Sequence, residues 1–176
     1  MRTFLTLVVA LCVAGCHLAK PNADREEACP TADSPPRTLS IGDRVTRHVP
    51  AEAPDGLTGV LVEDGAAYRL EANGTTRDAS LAETTPEGYA PNSSGFGFEL
   101  FRLFGQHKLR YPSAAWFELV GFVATDSQPA NYFAIGRGVA EWKPERVGEL
   151  VVFLNDVPGH YPNNIGCTSL TVTRLR

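Results

Sequence analysis

The chain has 176 residues, of which 43% are hydrophobic and 20% are charged, and its formal net charge is −4. This acidic balance, without a run of Lys or Arg, argues against a nucleic-acid partner. The sequence also lacks the Gly-x-Ser-x-Gly, His-Glu-x-x-His and P-loop signatures of hydrolases and nucleotide enzymes, so we expect no catalytic activity.

Residues 1–15 have the pattern of a secretory signal peptide, because the apolar run Phe4–Ala14 is too short to span a bilayer. The run ends in Val13-Ala14-Gly15-Cys16, which resembles the lipobox of bacterial lipoproteins. That resemblance implies a lipidated Cys16 as the mature N-terminus, and His17 in place of Asp implies an outer-membrane address. Lipid chains anchor a protein by burying methylenes, at about 0.8 kcal/mol each. A chance cysteine after an ordinary signal peptide is the alternative.

Residues 16–37 are rich in Pro, Asp and Asn and poor in apolar side chains, which predicts a flexible tether. Cys12 leaves with the signal peptide and Cys16 carries lipid, so Cys29 and Cys167 remain. In an exported chain, two remaining cysteines suggest a disulfide, and two unpaired thiols are the alternative.

Residues 38–176 are enough for one domain with a proper core. Runs of alternating or continuous apolar residues predict strands at Thr38–Val49, Gly59–Glu63, Ala66–Ala72, Gly97–Phe104, Trp116–Ala124, Tyr132–Gly136, Gly148–Leu154 and Thr168–Leu175. The continuously apolar segments 119–123 and 151–154 should be central strands. A helical period is nowhere convincing, and Glu99–Phe104 comes nearest to a short helical turn. The pattern predicts an all-β sandwich of about eight strands.

Three polar segments are predicted to be turns. Glu63-Asp64 precedes a glycine and reads as a hairpin turn. The segments Asn73-Gly74-Thr75 and Asn92-Ser93-Ser94 match the glycosylation sequon, but after a bacterial lipobox we interpret both as turns.

Residues 155–166 concentrate oxygen donors, namely the carboxylate of Asp156 and the amides of Asn155, Asn163 and Asn164. Calcium accepts six to eight such hard oxygen ligands. Asp, Asn, Pro and Gly are also ordinary turn residues, so two turns in a long hairpin loop are the alternative interpretation.

The segment VVFLNDVPGHYPNNIG at 151–166 resembles the closing segment of the bacterial calcium-dependent galactophilic lectins of the PA-IL type. The family pattern Asn-Asp-Val-Pro-Gly-x-Tyr-x-Asn-Asn-x-Gly is matched at Asn155, Asp156, Val157, Pro158, Gly159, Tyr161, Asn163, Asn164 and Gly166. A weaker similarity covers residues 57–74, which resemble the early strand pair of sugar-binding sandwiches. The resemblance implies a jelly-roll-like, galactose-binding-domain-like sandwich from about Leu39 onward.

The resemblance also implies a ligand set for one calcium ion. In the family, side chains at the positions of Asp156, Asn163 and Asn164 hold the metal, and main-chain carbonyls at His160 and, by a loose alignment, near Asp78 complete the protein ligands. Two galactose hydroxyls finish the coordination sphere. Asp156, Asn163 and Asn164 would also hydrogen-bond the sugar, with His160 as a further contact, and the carboxylate should matter most because charge-assisted bonds are the strong ones.

The chain departs from the family in three places. His160 stands where the family has Thr, and Pro162 replaces a Gly, which fixes the local φ. The region corresponding to the sugar-specificity loop, Pro86–Ser113, is longer and dissimilar, with Gln106 and His107 as unaligned candidates.

Together these features predict a non-catalytic lectin that binds a galactose-type glycan through Ca²⁺ and is held at the outer membrane by lipid. Several copies on a membrane, or an oligomer, would raise avidity. Tyr161, Trp116 and Trp142 could face a sugar, although large aromatics in a β domain are more often core. The alternatives are an envelope lipoprotein that kept the scaffold and lost the site, and an accessory carbohydrate-binding module.

Overall fold

The computed structural model describes residues 29–30, 35–79, 81–90, 105–125 and 131–176. The predicted signal peptide and lipobox lie outside these residues, as do most of the tether, the strand at Gly97–Phe104, the helical turn at Glu99–Phe104 and the second sequon. Within the described residues the regular structure is strands, with 3-10 turns at Gln106–Lys108 and Tyr161–Asn163.

Nine strands in the described residues form two sheets, which confirms the predicted all-β sandwich. The strands are β1 Arg37–Thr38, β2 Arg44–Pro50, β3 Gly56–Val62, β4 Tyr68–Asp78, β5 Leu119–Ala124, β6 Phe133–Ala134, β7 Gly138–Trp142, β8 Gly148–Leu154 and β9 Asn164–Arg174. The first sheet has the order β1-β3-β8-β5-β6 and the second has the order β2-β9-β4-β7. Among these pairs only β1 and β3 run parallel.

The core between the sheets follows from alternation along the strands. In β4, Tyr68, Leu70 and Ala72 are buried while the residues between them are exposed. In β9, Leu170 and Val172 are buried in the same way, and the register places Leu170 opposite Ala72. Because successive side chains along a strand point to opposite faces, one face of the second sheet packs in the core and the other face is exposed to solvent.

Strand β8 is apolar on both faces because both of its faces are covered. Leu150, Val152 and Leu154 point into the main core, and Phe153 packs on the opposite face with Tyr161. With β3 on one side and β5 on the other, β8 is central in its sheet, as the continuous apolar run predicted.

Several sequence predictions about turns and strand limits are wrong. Glu63-Asp64 lies in a turn, but it connects β3 and β4 of different sheets and is therefore not a hairpin turn. Asn73-Gly74 lies inside β4, where Gly74 has φ +128° and an added Cβ would lie 2.3 Å from the carbonyl oxygen of Cys167. The predicted strand Thr38–Val49 is two strands, separated by a turn at Ile41-Gly42.

The predicted disulfide is confirmed, because Cys29 and Cys167 are bonded across a sequence separation of 138 residues. It attaches the segment before β1 to β9, three residues beyond Asn164. In the part of the chain that the structure describes, no helix is long and apolar enough to cross a membrane.

Candidate functional site

The oxygen-rich loop joins β8 of the first sheet to β9 of the second sheet. The alternative of a long hairpin loop is therefore wrong, since the loop crosses the end of the sandwich. Its two halves are shaped by Gly159, which has φ +91°, and by a 3-10 turn at Tyr161–Asn163. Pro162 lies in the first turn of that element, where a missing N–H and a fixed φ are tolerated.

Asn155 at the start of the loop is a structural amide and is not free to bind a ligand. It is fully buried, and its Oδ1 accepts a hydrogen bond from the backbone N–H of Tyr111 at 2.9 Å. Its Nδ2 donates to the carbonyls of Tyr111 at 2.9 Å and Ala115 at 3.0 Å. These bonds fasten segment 111–115 to the loop, so of the amides in the loop only Asn163 and Asn164 remain candidates.

Asp156 is the centre of the loop and is 1% exposed. Its Oδ1 accepts hydrogen bonds from the indole Nε1 of Trp116 at 3.2 Å and from the backbone N–H of Val157 at 2.7 Å. Its Oδ2 accepts from Nδ2 of Asn164 at 3.0 Å. A buried carboxylate is costly unless it is paired, and three donors provide that pairing here.

Asn164 has an acceptor without a partner. Its Nδ2 donates both to Asp156 and to the carbonyl of Ala51, at 3.3 Å, and this fixes the orientation of the amide. The Oδ1 atom is buried and accepts no hydrogen bond from the residues that the structure describes, and the side chain is only 4% exposed. Buried polar atoms are normally satisfied, so an orphaned oxygen beside a buried carboxylate is a feature that a cation would satisfy.

Asn163 and Asp78 form a second, more exposed pair beside the first. Nδ2 of Asn163 donates to Oδ1 of Asp78 at 2.5 Å, and the backbone carbonyl of Asn163 accepts from the N–H of Ala79 at 3.1 Å. The pairing of β4 with β9 places Asp78 opposite Asn164. Burial raises the pKa of the Asp78 carboxyl, and the negative charge of Asp156 raises it further, whereas Asn163 and His160 act in the opposite direction.

The two predicted main-chain ligands lie at this end of the sandwich, with their carbonyls partly used. The carbonyl of His160 accepts from the N–H of Asn163 at 3.4 Å, and its side chain is exposed. The carbonyl of Asp78 accepts from the N–H of Leu81 at 2.8 Å. At Asp78 it is the side-chain carboxylate, which the resemblance did not assign, that meets Asn163.

Arg110 holds the loop from the outer side. Its backbone N–H donates to the carbonyl of Asp156 at 3.0 Å, and its guanidinium lies 4.0 Å from the ring centroid of Phe153. The same guanidinium pairs with the carboxylate of Asp55 at 2.9 Å and donates to the Tyr132 hydroxyl at 3.2 Å. The loop is thus fixed to the sheet before any ligand binds.

The structure brings Asp156 and Asn164 together through a hydrogen bond, and it pairs Asn163 with the side chain of Asp78. Sequence reasoning did not find Trp116 and Ala51 as hydrogen-bond partners at this site, because they come from loops 40 and 113 residues away from their partners. Gln106, a candidate for sugar specificity, donates hydrogen bonds from its Nε2 to the carbonyls of Pro112 and Ala114. Within the described residues, no three His, Cys, Asp or Glu side chains group as a metal site, so a metal here would need amide and carbonyl oxygens in addition to the two carboxylates.

The sheet order and the crossing loop define a jelly-roll-like β-sandwich with a polar, largely buried cluster at one end. Among solved structures, the chain is similar to one described as the EclA N-terminal domain, a PllA-like lectin, with a TM-score of 0.54 and 22% sequence identity. The match covers 73% of this chain and 94% of that chain, and it supports the sandwich fold. No protein-family model and no curated protein matches the sequence.

Proposed function

We propose that this protein is a non-catalytic lectin that binds a galactose-type glycan through one calcium ion at the loop between β8 and β9. The observation that carries the proposal is the orphaned Oδ1 of Asn164 beside the buried carboxylate of Asp156. The lectin description of the structural neighbour supports the carbohydrate part of the proposal.

The residues present fit a calcium ion in their chemistry. Asp156 and Asp78 supply negative charge, and Asn163, Asn164 and the His160 carbonyl supply neutral oxygens, the donor types that calcium prefers. Asn163 and Asn164 donate their amide N–H groups to the carboxylates of Asp78 and Asp156, and their oxygens are the atoms that would bind the metal. Oδ1 of Asn164 has no hydrogen-bond partner among the described residues, so it is the amide oxygen that is open to a cation.

The bound ion would polarise and orient two neighbouring sugar hydroxyls, and the protein would do no chemistry on the sugar. The Asp156 and Asp78 carboxylates would accept hydrogen bonds from the sugar hydroxyls, and charge-assisted bonds of this kind are the stronger ones. His160 is exposed at the edge of the cluster, where it can contact a further hydroxyl.

The proposal includes export and lipid anchoring through Cys16, supported by the signal-like residues 1–15 and by the disulfide, which suits an oxidising compartment. A lipid anchor would gather many copies on one surface, and this avidity would offset weak binding at a single site.

A calcium titration followed by thermal unfolding tests the metal. A ligand that binds only the native state adds RT ln(1 + [L]/Kd) to the free energy of unfolding, and it therefore raises the melting temperature. We expect a rise in millimolar calcium that chelator reverses, and tighter galactose binding in calcium than in chelator. An unchanged melting temperature would exclude the calcium site.

The second candidate is an envelope lipoprotein that uses the sandwich for structure or protein contacts. The observation in its favour is that Asp156 already accepts three hydrogen bonds, so it can stabilise the fold without a metal. The same titration separates the two functions, because this candidate predicts no response to calcium. The third candidate, an accessory module, predicts binding to a polysaccharide without binding to monosaccharides.

A further inference from the structure

Tyr89 supports one carboxylate of the oxygen-rich cluster, which consists of Asp78, Asp156, Asn163 and Asn164. Tyr89 is 6% exposed, and its hydroxyl accepts a hydrogen bond from the backbone N–H of Asp78 at 3.0 Å. The same hydroxyl donates to the carbonyl of Ala82 at 3.0 Å. One side-chain oxygen therefore ties the end of β4 to the loop that follows it, at the residue whose carboxylate meets Asn163.

Tyr89 also contacts Trp116, which holds the second carboxylate. The backbone N–H of Tyr89 donates to the carbonyl of Trp116 at 2.8 Å, and the centroids of the two rings lie 5.2 Å apart. The ring of Phe117 packs on Tyr89 as well, at 5.4 Å. The indole Nε1 of Trp116 donates to Oδ1 of Asp156 at 3.2 Å. Direct contacts thus run from the backbone of Asp78 through Tyr89 and Trp116 to the carboxylate of Asp156.

The two carboxylates that this chain of contacts joins repel each other. Burial raises the pKa of the Asp78 carboxyl, and the negative charge of Asp156 adds to the rise. A cation relieves this repulsion only where both carboxylates can reach it, so the groups that fix their positions matter for metal affinity. Burial also raises the pKa of Tyr89, although the hydrogen bond from the Asp78 N–H lowers it, so the hydroxyl keeps the proton that it donates to Ala82.

We propose that Tyr89 and Trp116 act as one positioning unit for calcium, which fixes the backbone of Asp78 and the carboxylate of Asp156 so that both carboxylates reach the same ion. The inference rests on the proposed calcium site and adds the residues that set its shape. In this proposal neither aromatic residue supplies an atom to the ion. Partners that orient metal ligands from behind typically change metal affinity about 10- to 100-fold when they are lost.

The variant Tyr89→Phe removes the hydroxyl and keeps the ring against Trp116. Its matched control is Tyr68→Phe, because Tyr68 is also buried and its hydroxyl also accepts a backbone N–H, that of Glu63 at 3.2 Å. Tyr68 begins β4 and Asp78 ends it, so about 30 Å of strand separates the control from the site. Both variants should lose some stability in chelator, because each loses a buried hydroxyl that accepts a hydrogen bond.

Calcium affinity, measured by calorimetry without sugar, separates positioning from stability. We expect Tyr89→Phe to bind calcium about tenfold more weakly than the wild type and Tyr68→Phe to bind it equally well. Trp116→Phe, which removes the indole N–H and keeps a ring, should weaken binding about as much as Tyr89→Phe. Because the two residues act as one unit, the double variant should bind little more weakly than either single variant.

Hydrogen exchange in chelator tests the same unit without metal. In Tyr89→Phe, the amide proton of Asp78 should exchange about three- to tenfold faster, which is the effect of one lost hydrogen bond. The indole N–H of Trp116 should also exchange faster, because its ring packs on Tyr89. Neither proton should exchange faster in Tyr68→Phe.

The proposal is overturned if Tyr89→Phe binds calcium within about twofold of the wild type, or if Tyr68→Phe loses as much affinity. It is also overturned if the losses of the two single variants multiply in the double variant, or if exchange at Trp116 is unchanged in Tyr89→Phe. A wild-type protein that binds no calcium would instead contradict the proposed function. In that case the exchange rates in chelator still decide whether Tyr89 supports Asp78 and Trp116.

Discussion

Replacing Asp156 by Asn or Ala tests how the buried carboxylate holds the loop. Asn keeps the shape but has only one oxygen, which can still accept from Trp116 and Val157. Its amide nitrogen then faces the Nδ2 of Asn164. A lost bond to a charged acceptor costs about 1.5–3 kcal/mol, and rotation of Asn164 to present its orphaned Oδ1 restores about 1 kcal/mol.

Reduced repulsion with Asp78 offsets a further part of the loss, so we expect Asp156→Asn to lower the free energy of unfolding by about 1–2 kcal/mol. Asp156→Ala leaves three donors without this acceptor, two of them buried and the Val157 N–H partly buried, at about 1–3 kcal/mol for each buried donor, so it should be the less stable variant by at least about 2 kcal/mol. Both variants should lose any stabilisation by calcium.

The assay is urea unfolding in chelator and again in calcium, with Asn163→Ala as the control. Asn163 is exposed, so the control should match the wild type in chelator and respond less to calcium. An Asp156→Ala protein as stable as the wild type in chelator would refute the hydrogen-bond account of this carboxylate. A variant of Asp156 that calcium stabilises as much as the wild type would refute its role as a metal ligand.

Three further changes test the scaffold. Replacing Cys29 and Cys167 together by Ser should lower the free energy of unfolding by about 4–5 kcal/mol in denaturant titrations, because the bond closes a long loop, and an unchanged midpoint would contradict this. Glu118→Gln should stabilise the fold near neutral pH, because burial raises the pKa of Glu118, the hydrogen bond from the Ala115 N–H offsets only part of this rise, and the charge of Glu87, opposite it in a β-bridge, adds to it. Because its pKa is raised in the native state, the Glu118 carboxylate destabilises the fold as pH rises and it ionises. The gain in unfolding free energy from Glu118→Gln should therefore vanish in unfolding curves below about pH 4. A gain that persists there would contradict the charge effect. Gly74→Ala should cost more than about 2 kcal/mol in the same assay, because its Cβ would meet the Cys167 carbonyl oxygen at 2.3 Å, and a smaller loss would show that β4 and β9 can separate.

The control for Gly74 is Gly42→Ala. Gly42 also has a positive φ, of +85°, but an added Cβ would meet no atom of the described residues within 4 Å. It should lose only about 1 kcal/mol, from backbone strain. The difference between the two variants isolates the close approach of the two strands.

The strands that the sequence predicted best are those whose burial is visible locally. β8 has the predicted limits Gly148–Leu154, because an unbroken apolar run reflects two covered faces. β7 was missed because Gly138–Trp142 is a short edge strand with exposed residues at Gly138, Ala140 and Glu141. β4 extends to Asp78 through the turn-like Asn73-Gly74 because eleven residues of β9 pair with it, and that pairing overrides the local signal.

At the candidate site, the loop residues could be found from their pattern, but their surroundings could not. The resemblance pointed to Asp156 and Asn164, and the structure places them 3.0 Å apart from oxygen to nitrogen. Trp116 and Ala51 come from other loops, and nothing in the spacing of the sequence relates them to Asp156. The structural role of Asn155 could not be predicted either, because its hydrogen-bond partners at 111–115 are distant in sequence.

The most direct test of the calcium-dependent lectin is a glycan array probed with the wild-type domain in calcium and again in chelator. The account predicts binding to glycans that end in galactose-type sugars, lost in chelator and lost in Asp156→Asn. Glycan binding that chelator leaves intact, or no binding to any galactose-type glycan in calcium, would contradict it.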